Sequence, residues 1–284
     1  MRTPDLAQAA CKVGFVLNAA ASPLARIPAS SHNEDVVRSS WIAGQYFLQC
    51  ASALEDLEIR PERLDPWRSG DYCTPASEYN AISEELLKGF LLRLSRFQLI
   101  WSAYENVRNN SRIGNYLKSN GSIPLSLDGG IHVDDFPFLE TFLSRFDASW
   151  RCEDHPYKTE EMACLFDKAD IRKMSGAGKF CRAGLTLNKY RNFIYHADES
   201  LPEPGDSFDH FDGSPLRAAP QKWVRLEAAS ILALLMIYML SLDWLPRFLS
   251  RTNCDDENLY LVDLSYEETE PHLIAHELAR QIFR

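Results

Sequence analysis

Apolar residues recur along most of this chain at intervals of three and four, the spacing that gathers them on one face of an α-helix. Residues 5–20 form a short, alanine-rich apolar segment. Residues 33–57 carry Val37, Trp41, Tyr46, Phe47 and Leu54 at roughly helical spacing, with Asn33 placed to cap the start. Pro61, Pro66, Gly70 and Pro75 then break the chain. A second long helix is predicted from near Ser77 towards Asn109, where Leu86, Phe90, Leu94, Phe97, Ile100, Trp101 and Tyr104 trace one stripe. Residues 120–135 read as loop, with Gly121, Pro124, Gly129 and Gly130. A short helix follows around Phe138–Phe146, and Thr159 with Glu160 and Glu161 suits the start of another.

Further helices are predicted at 179–196 and at about 221–242, the second strongly apolar. A proline-rich stretch at 198–220 separates them. The tail reads as one short strand at Leu259–Leu264 and a final helix near Pro271–Phe283. No alternation of strands and helices appears, which argues against a parallel-sheet fold. The expected class is all-α, an up-and-down bundle with extra N-terminal helices and long loops. The apolar helices are too numerous for two separate cores, so one decorated domain is expected.

Composition agrees with a packed fold: 45% hydrophobic and 25% charged residues over 284 positions. The seven cysteines are odd in number, scattered, and never spaced C-x-x-C, which fits a reducing compartment and excludes a zinc ribbon. Arg2 is followed by Asp5, and Lys12 interrupts the first apolar stretch, so no signal peptide is expected there. The most apolar window, Ala228–Leu242, is too short to cross a bilayer comfortably and is expected to be a core helix. The expected location is cytoplasmic, without membrane attachment. The formal net charge of −10 repels nucleic acid on average, so any phosphate polymer would need a local basic patch.

Such a patch exists. Residues 167–191 hold seven basic side chains (Lys168, Arg172, Lys173, Lys179, Arg182, Lys189 and Arg191) against Asp167 and Asp170. Residues 198–212 have the opposite balance, with six acids and no Lys or Arg. The basic segment ends in Arg191-Asn192-Phe193-Ile194-Tyr195-His196. On an ideal helix Arg191 and His196 are about 140° apart and share no face, whereas Asn192 and His196 do. Arg191 and His196 converge only where the helix ends or distorts, or where a second subunit supplies its own copy.

R-N-x-x-x-H on a helix, followed by a loop and an apolar helix, resembles the signature of the HEPN superfamily. The resemblance covers roughly residues 77–245. It implies a helical bundle that dimerises across the motif, and in many members a metal-independent ribonuclease of toxin–antitoxin, abortive-infection or CRISPR-linked defence systems. It places the family's arginine on Arg191, its frequently polar neighbour on Asn192 and its histidine on His196. It also suggests an acidic residue from an earlier helix, for which Glu105 is the candidate by context. On this division residues 1–75 are an N-terminal helical extension packed on the bundle, 76–250 the HEPN-like bundle, and 251–284 a C-terminal helical tail. The implied partners are an RNA substrate, a second copy of the chain, and an antitoxin or other defence-system protein.

The chemistry is coherent. RNA carries its own nucleophile, the 2′-OH. Histidine exchanges a proton near neutral pH, and arginine stays charged and grips two phosphate oxygens at once. No cofactor or metal is required, and Lys179, Arg182 and Lys189 would hold the RNA backbone. The bare pattern, Arg then four to six residues then His, is weak, since Arg26 and His32 fit it with five residues between in a proline-containing loop. The residues leave alternatives open: a HEPN-like module that binds RNA, nucleotide or protein without cleaving, or an all-α scaffold whose Arg191 and His196 merely finish a helix. Tyr195 reads as packing and Glu105 also reads as a solvated helix residue. His272 and His276, four apart without a third ligand, read as a surface pair. Asp134 and Asp135 read as loop residues or a helix cap.

Overall fold

A computed structural model describes residues 5–21, 34–58, 74–109, 126–127, 131–132, 136–149, 178–195, 221–242 and 279–283. The fold is all-α. Its helices are α1 (Leu6–Ala21), α2 (Glu34–Ala53), α3 (Thr74–Asn109), α4 (Pro137–Ala148), α5 (Lys179–Tyr195) and α6 (Gln221–Ser241), with residues 279–283 also helical. Between α3 and α4, in the stretch expected to be loop, β1 (Ser126–Leu127) and β2 (Ile131–His132) pair antiparallel, Ser126 opposite His132 and Leu127 opposite Ile131. The segments predicted at Thr159, 198–220, Leu259–Leu264 and the start of the final helix lie outside the described residues, as does Asn33.

Several helix ends have a local reason. Asp5 caps α1: its Oδ1 accepts from the backbone N–H of Ala7 at 2.9 Å and of Gln8 at 3.1 Å. The acid ahead of the N-terminal apolar stretch is therefore a structural start signal. Asp5→Ala is expected to cost about 1 kcal/mol in urea unfolding; an unchanged midpoint would show that the cap contributes nothing. Beyond α2, the Leu54 carbonyl accepts from Arg96 Nε of α3 at 2.9 Å, a cation held against the negative end of a neighbouring helix. Pro137 opens α4, where its missing N–H is harmless. At the far end Ser149 Oγ donates to the Phe146 carbonyl at 2.6 Å.

Helix α6 is the centre of the bundle and packs against α1, α3, α4 and α5. It is longer than the Ala228–Leu242 window, and Lys222–Ser241 is long and apolar enough to cross a membrane by length and composition. In its apolar 18-residue window 89% is buried inside the protein, so it acts as the core helix of the bundle. Its buried hydroxyls stay satisfied by bonding back along the helix, Ser230 Oγ to the Leu226 carbonyl and Ser241 Oγ to that of Tyr238, both at 2.6 Å. Arg225, a buried cation, donates from Nε to the Ser149 carbonyl at 3.3 Å, at the C-terminal end of α4.

Helix α3 spans 36 residues, roughly 54 Å at helical rise. Leu86, Phe90, Phe97, Ile100, Trp101 and Tyr104 of its predicted stripe are buried, and Leu94 packs half-buried against them. Gly44 lets α1, α2 and α3 meet closely: a Cβ there would lie 3.2 Å from Leu17 and 3.3 Å from Val107. The chain ends belong to the same core. Leu6, Trp41 and Phe283 join one buried cluster with the helices between them. Phe283 packs edge-on against Phe142 (ring centroids 5.6 Å apart) and Tyr238 (6.1 Å), and Lys12 Nζ donates to the Gln281 carbonyl at 2.7 Å.

Candidate anion site on helix α5

Helix α5 holds the arginine of the hexapeptide in place through its buried face. Phe180, Ala183, Leu187 and Tyr190 are buried at helical spacing. Tyr190 anchors the last turns, with its ring 5.2 Å from Phe146 of α4 and 5.7 Å from Phe97 of α3, edge-on to both. Beside this anchor Arg191 is half-buried at the flank of the helix. Its guanidinium carbon lies 4.0 Å from the centroid of the Tyr195 ring, a cation–π stack one turn along. Its Nη1 donates to Asn192 Oδ1 at 3.1 Å. Its Nε is shielded from solvent and, among the described residues, has no hydrogen-bond partner. An arginine carries five N–H donors; the shielded Nε is out of a ligand's reach, so what is left for one lies on the two Nη atoms.

This geometry changes the reading of two residues. Tyr195 was expected to pack, yet it is 54% exposed. Four residues separate it from Arg191, so the two share a flank that the five-residue step to His196 would not give. Asn192 is exposed and hydrogen-bonds Arg191, which makes it an orienting neighbour of the guanidinium. His196 lies outside the described residues, as do Lys168, Arg172, Lys173, Arg26, His32, Asp134, Asp135, His272, His276 and residues 198–212.

The other candidates are dispersed along α5. Lys179 is exposed at its first turn and lies 3.6 Å from Glu140 of α4, an exposed pair of little energetic weight. Arg182 and Lys189 are half-buried at intermediate turns. Glu105 is half-buried on α3 and makes no ion pair or hydrogen bond with Arg191. One turn further on, Arg108 of α3 makes a polar contact with α5. Its Nη1 donates to Asn188 Oδ1 at 2.9 Å, and Asn188 lies one turn before Arg191. Neither Arg108 nor Asn188 is marked out by a motif; their only trace in the chain is helical spacing, three residues after Glu105 and three before Arg191.

The α3 side of this region is closed and apolar. Tyr104 is fully buried, with its ring 5.4 Å from the Arg108 guanidinium carbon. Burial pushes its hydroxyl up to about 12, with the Arg108 charge pulling the other way, so it stays protonated near neutral pH and offers no base. Among the described residues no three His, Cys, Asp or Glu side chains gather as a metal site. The local arrangement is thus a cation with spare donors, stacked on an exposed aromatic ring, oriented by an amide, and backed by a second arginine on α3. Such a constellation binds anions and flat π-systems. Comparison with protein families, with curated proteins and with solved structures finds no match to this chain.

Proposed function

We propose that this protein is a metal-independent endoribonuclease of the HEPN type, working as a homodimer in a prokaryotic defence or toxin–antitoxin response. Arg191 binds the scissile phosphate and His196 moves the proton. The observation that supports this reading is the state of Arg191: a guanidinium held by a buried helix face, stacked on Tyr195, with donors unspent, five residues before a histidine. In the reaction the 2′-oxygen attacks phosphorus as its proton passes to a base. The 5′-oxygen leaves with a proton, giving a 2′,3′-cyclic phosphate and a 5′-OH end. Arginine stabilises the charge that builds on the phosphoryl oxygens. Asn192 orients the guanidinium, and Lys179, Arg182 and Lys189 hold the flanking backbone. Glu105, half-buried on α3, is the acidic candidate from an earlier helix in this scheme.

The test is RNA cleavage in EDTA by the purified chain and by His196→Ala, with the product ends identified. Cleavage by the unaltered chain to cyclic-phosphate ends, lost in the variant, supports the enzyme. RNA binding without cleavage by either protein would move the assignment to a HEPN-like binding module. Neither binding nor cleavage would end both readings.

A further inference from the structure

We propose that Tyr195 is a stacking platform for an unpaired base beside the phosphate held by Arg191, so that the site takes single-stranded RNA and rejects the duplex. The inference rests on Arg191 being an RNA phosphate ligand, as above, and adds the class of substrate. Three observations carry it. Tyr195 is 54% exposed even though the Arg191 guanidinium covers part of it. The guanidinium lies over one face of the ring, 4.0 Å from its centroid, so charge and aromatic surface are in direct contact and a base would use the opposite face. Asn192, also exposed, ties down one end of the guanidinium, which keeps the patch ordered before a ligand arrives.

A cation and an exposed ring in contact match the two parts of a nucleotide. The guanidinium takes the phosphate and the ring takes the face of a base. Every base has a π-face, so the platform is tolerant of sequence. In an A-form duplex those faces are covered by neighbouring base pairs, and side chains reach only phosphates and 2′-hydroxyls. The ring therefore contributes to binding only when the nucleotide beside the phosphate is unstacked. Tyrosine suits this role because its ring is rigid, with few rotamers to lose on binding.

The experiment is fluorescence anisotropy with three 2′-O-methyl-blocked RNA probes that cannot be cleaved: a single strand, the same strand with abasic positions, and a blunt duplex. The proteins are the full chain, Tyr195→Phe, Tyr195→Leu and Arg191→Gln. Thermal melts report folding, which an exposed ring is expected to leave unchanged. The full chain should prefer the single strand. Tyr195→Leu should lose roughly tenfold to a hundredfold of that affinity, while Tyr195→Phe, which keeps the ring, stays within about twofold. The abasic strand should be bound equally by the full chain and Tyr195→Leu. Arg191→Gln should weaken binding to all three probes. Full affinity of Tyr195→Leu for the single strand, with binding lost in Arg191→Gln, overturns the platform and leaves the phosphate role of Arg191 standing. A full chain that binds none of the probes overturns both.

Discussion

Removing Arg191 and His196 together is expected to cost no more cleavage activity than removing either alone, roughly a hundredfold to ten-thousandfold in each case. The reason lies in how the two would share one transition state. Without the histidine, the 2′-hydroxyl keeps its proton and little negative charge builds on the phosphate for arginine to meet. Without the arginine, the phosphate is neither held nor neutralised, and proton transfer gains nothing. Groups that act as a unit therefore show strongly sub-additive losses. Single-turnover rates for Arg191→Ala, His196→Ala and the double variant check this directly. Losses that multiply would mean the two residues act independently, and that Arg191 serves only to attract RNA. Arg191→Lys sharpens the comparison: it keeps the charge but loses the fork of parallel donors and the flat stack on Tyr195, so it should recover little.

The second large effect concerns stability and lies away from α5. Gly89→Ala on α3 should destabilise the protein by about 3 kcal/mol, read as a fall of several degrees in melting temperature. A Cβ at Gly89 would sit 2.4 Å from Cζ2 and 2.6 Å from Cη2 of Trp223 on α6. The indole is also held by Arg93, whose guanidinium carbon stands 4.3 Å from its ring centroid. Arg93 is held in turn by Glu227, with Nε donating to Oε1 at 2.6 Å, and by the Gly89 carbonyl, which accepts from Nη1 at 3.0 Å. Gly89, Arg93, Trp223 and Glu227 therefore form one lock between the longest helix and the central one. Pushing the indole aside breaks the cation–π stack and strains the ion pair together. The same substitution in a Trp223→Leu background should cost little, since alanine is the better helix residue by about 1 kcal/mol once the clash is gone. A neutral Gly89→Ala in the unaltered chain would refute the lock.

Much of the architecture is legible in the amino-acid order because it depends on period. The stripe from Leu86 to Tyr104 is buried as its spacing requires, and the helix carrying it runs from Thr74, three residues before the expected Ser77. The proline that breaks a strand or helix interior is harmless near a helix start, so Pro75 sits in the first turn of α3 and does not precede it. For the same reason α4 starts on Pro137. Asp5 was legible only as a charge ahead of the first apolar segment, and the hydrogen bonds it accepts from Ala7 and Gln8 make it the N-cap of α1.

The site was legible only as types of residue at intervals. Arg191, Asn192 and the basic segment stand out from an acidic chain by charge and motif. That Tyr195 would face solvent was not readable, because a tyrosine near a helix end serves packing and surface equally well, and only the neighbouring helices settle which. The bond from Arg108 to Asn188 joins residues 80 positions apart, and no local pattern encodes such a pairing.

The chain alone thus settles helix class, helix faces and the chemistry available at the end of α5, because period, capping and charge act within a few residues. The tertiary structure alone settles that α6, apolar enough to span a membrane, is wrapped by its own neighbours, that Gly89 is a seat for Trp223, and that the hexapeptide arginine stacks on an exposed ring. These depend on which helices come together and at what distance, and packing is set by shape across long separations in sequence.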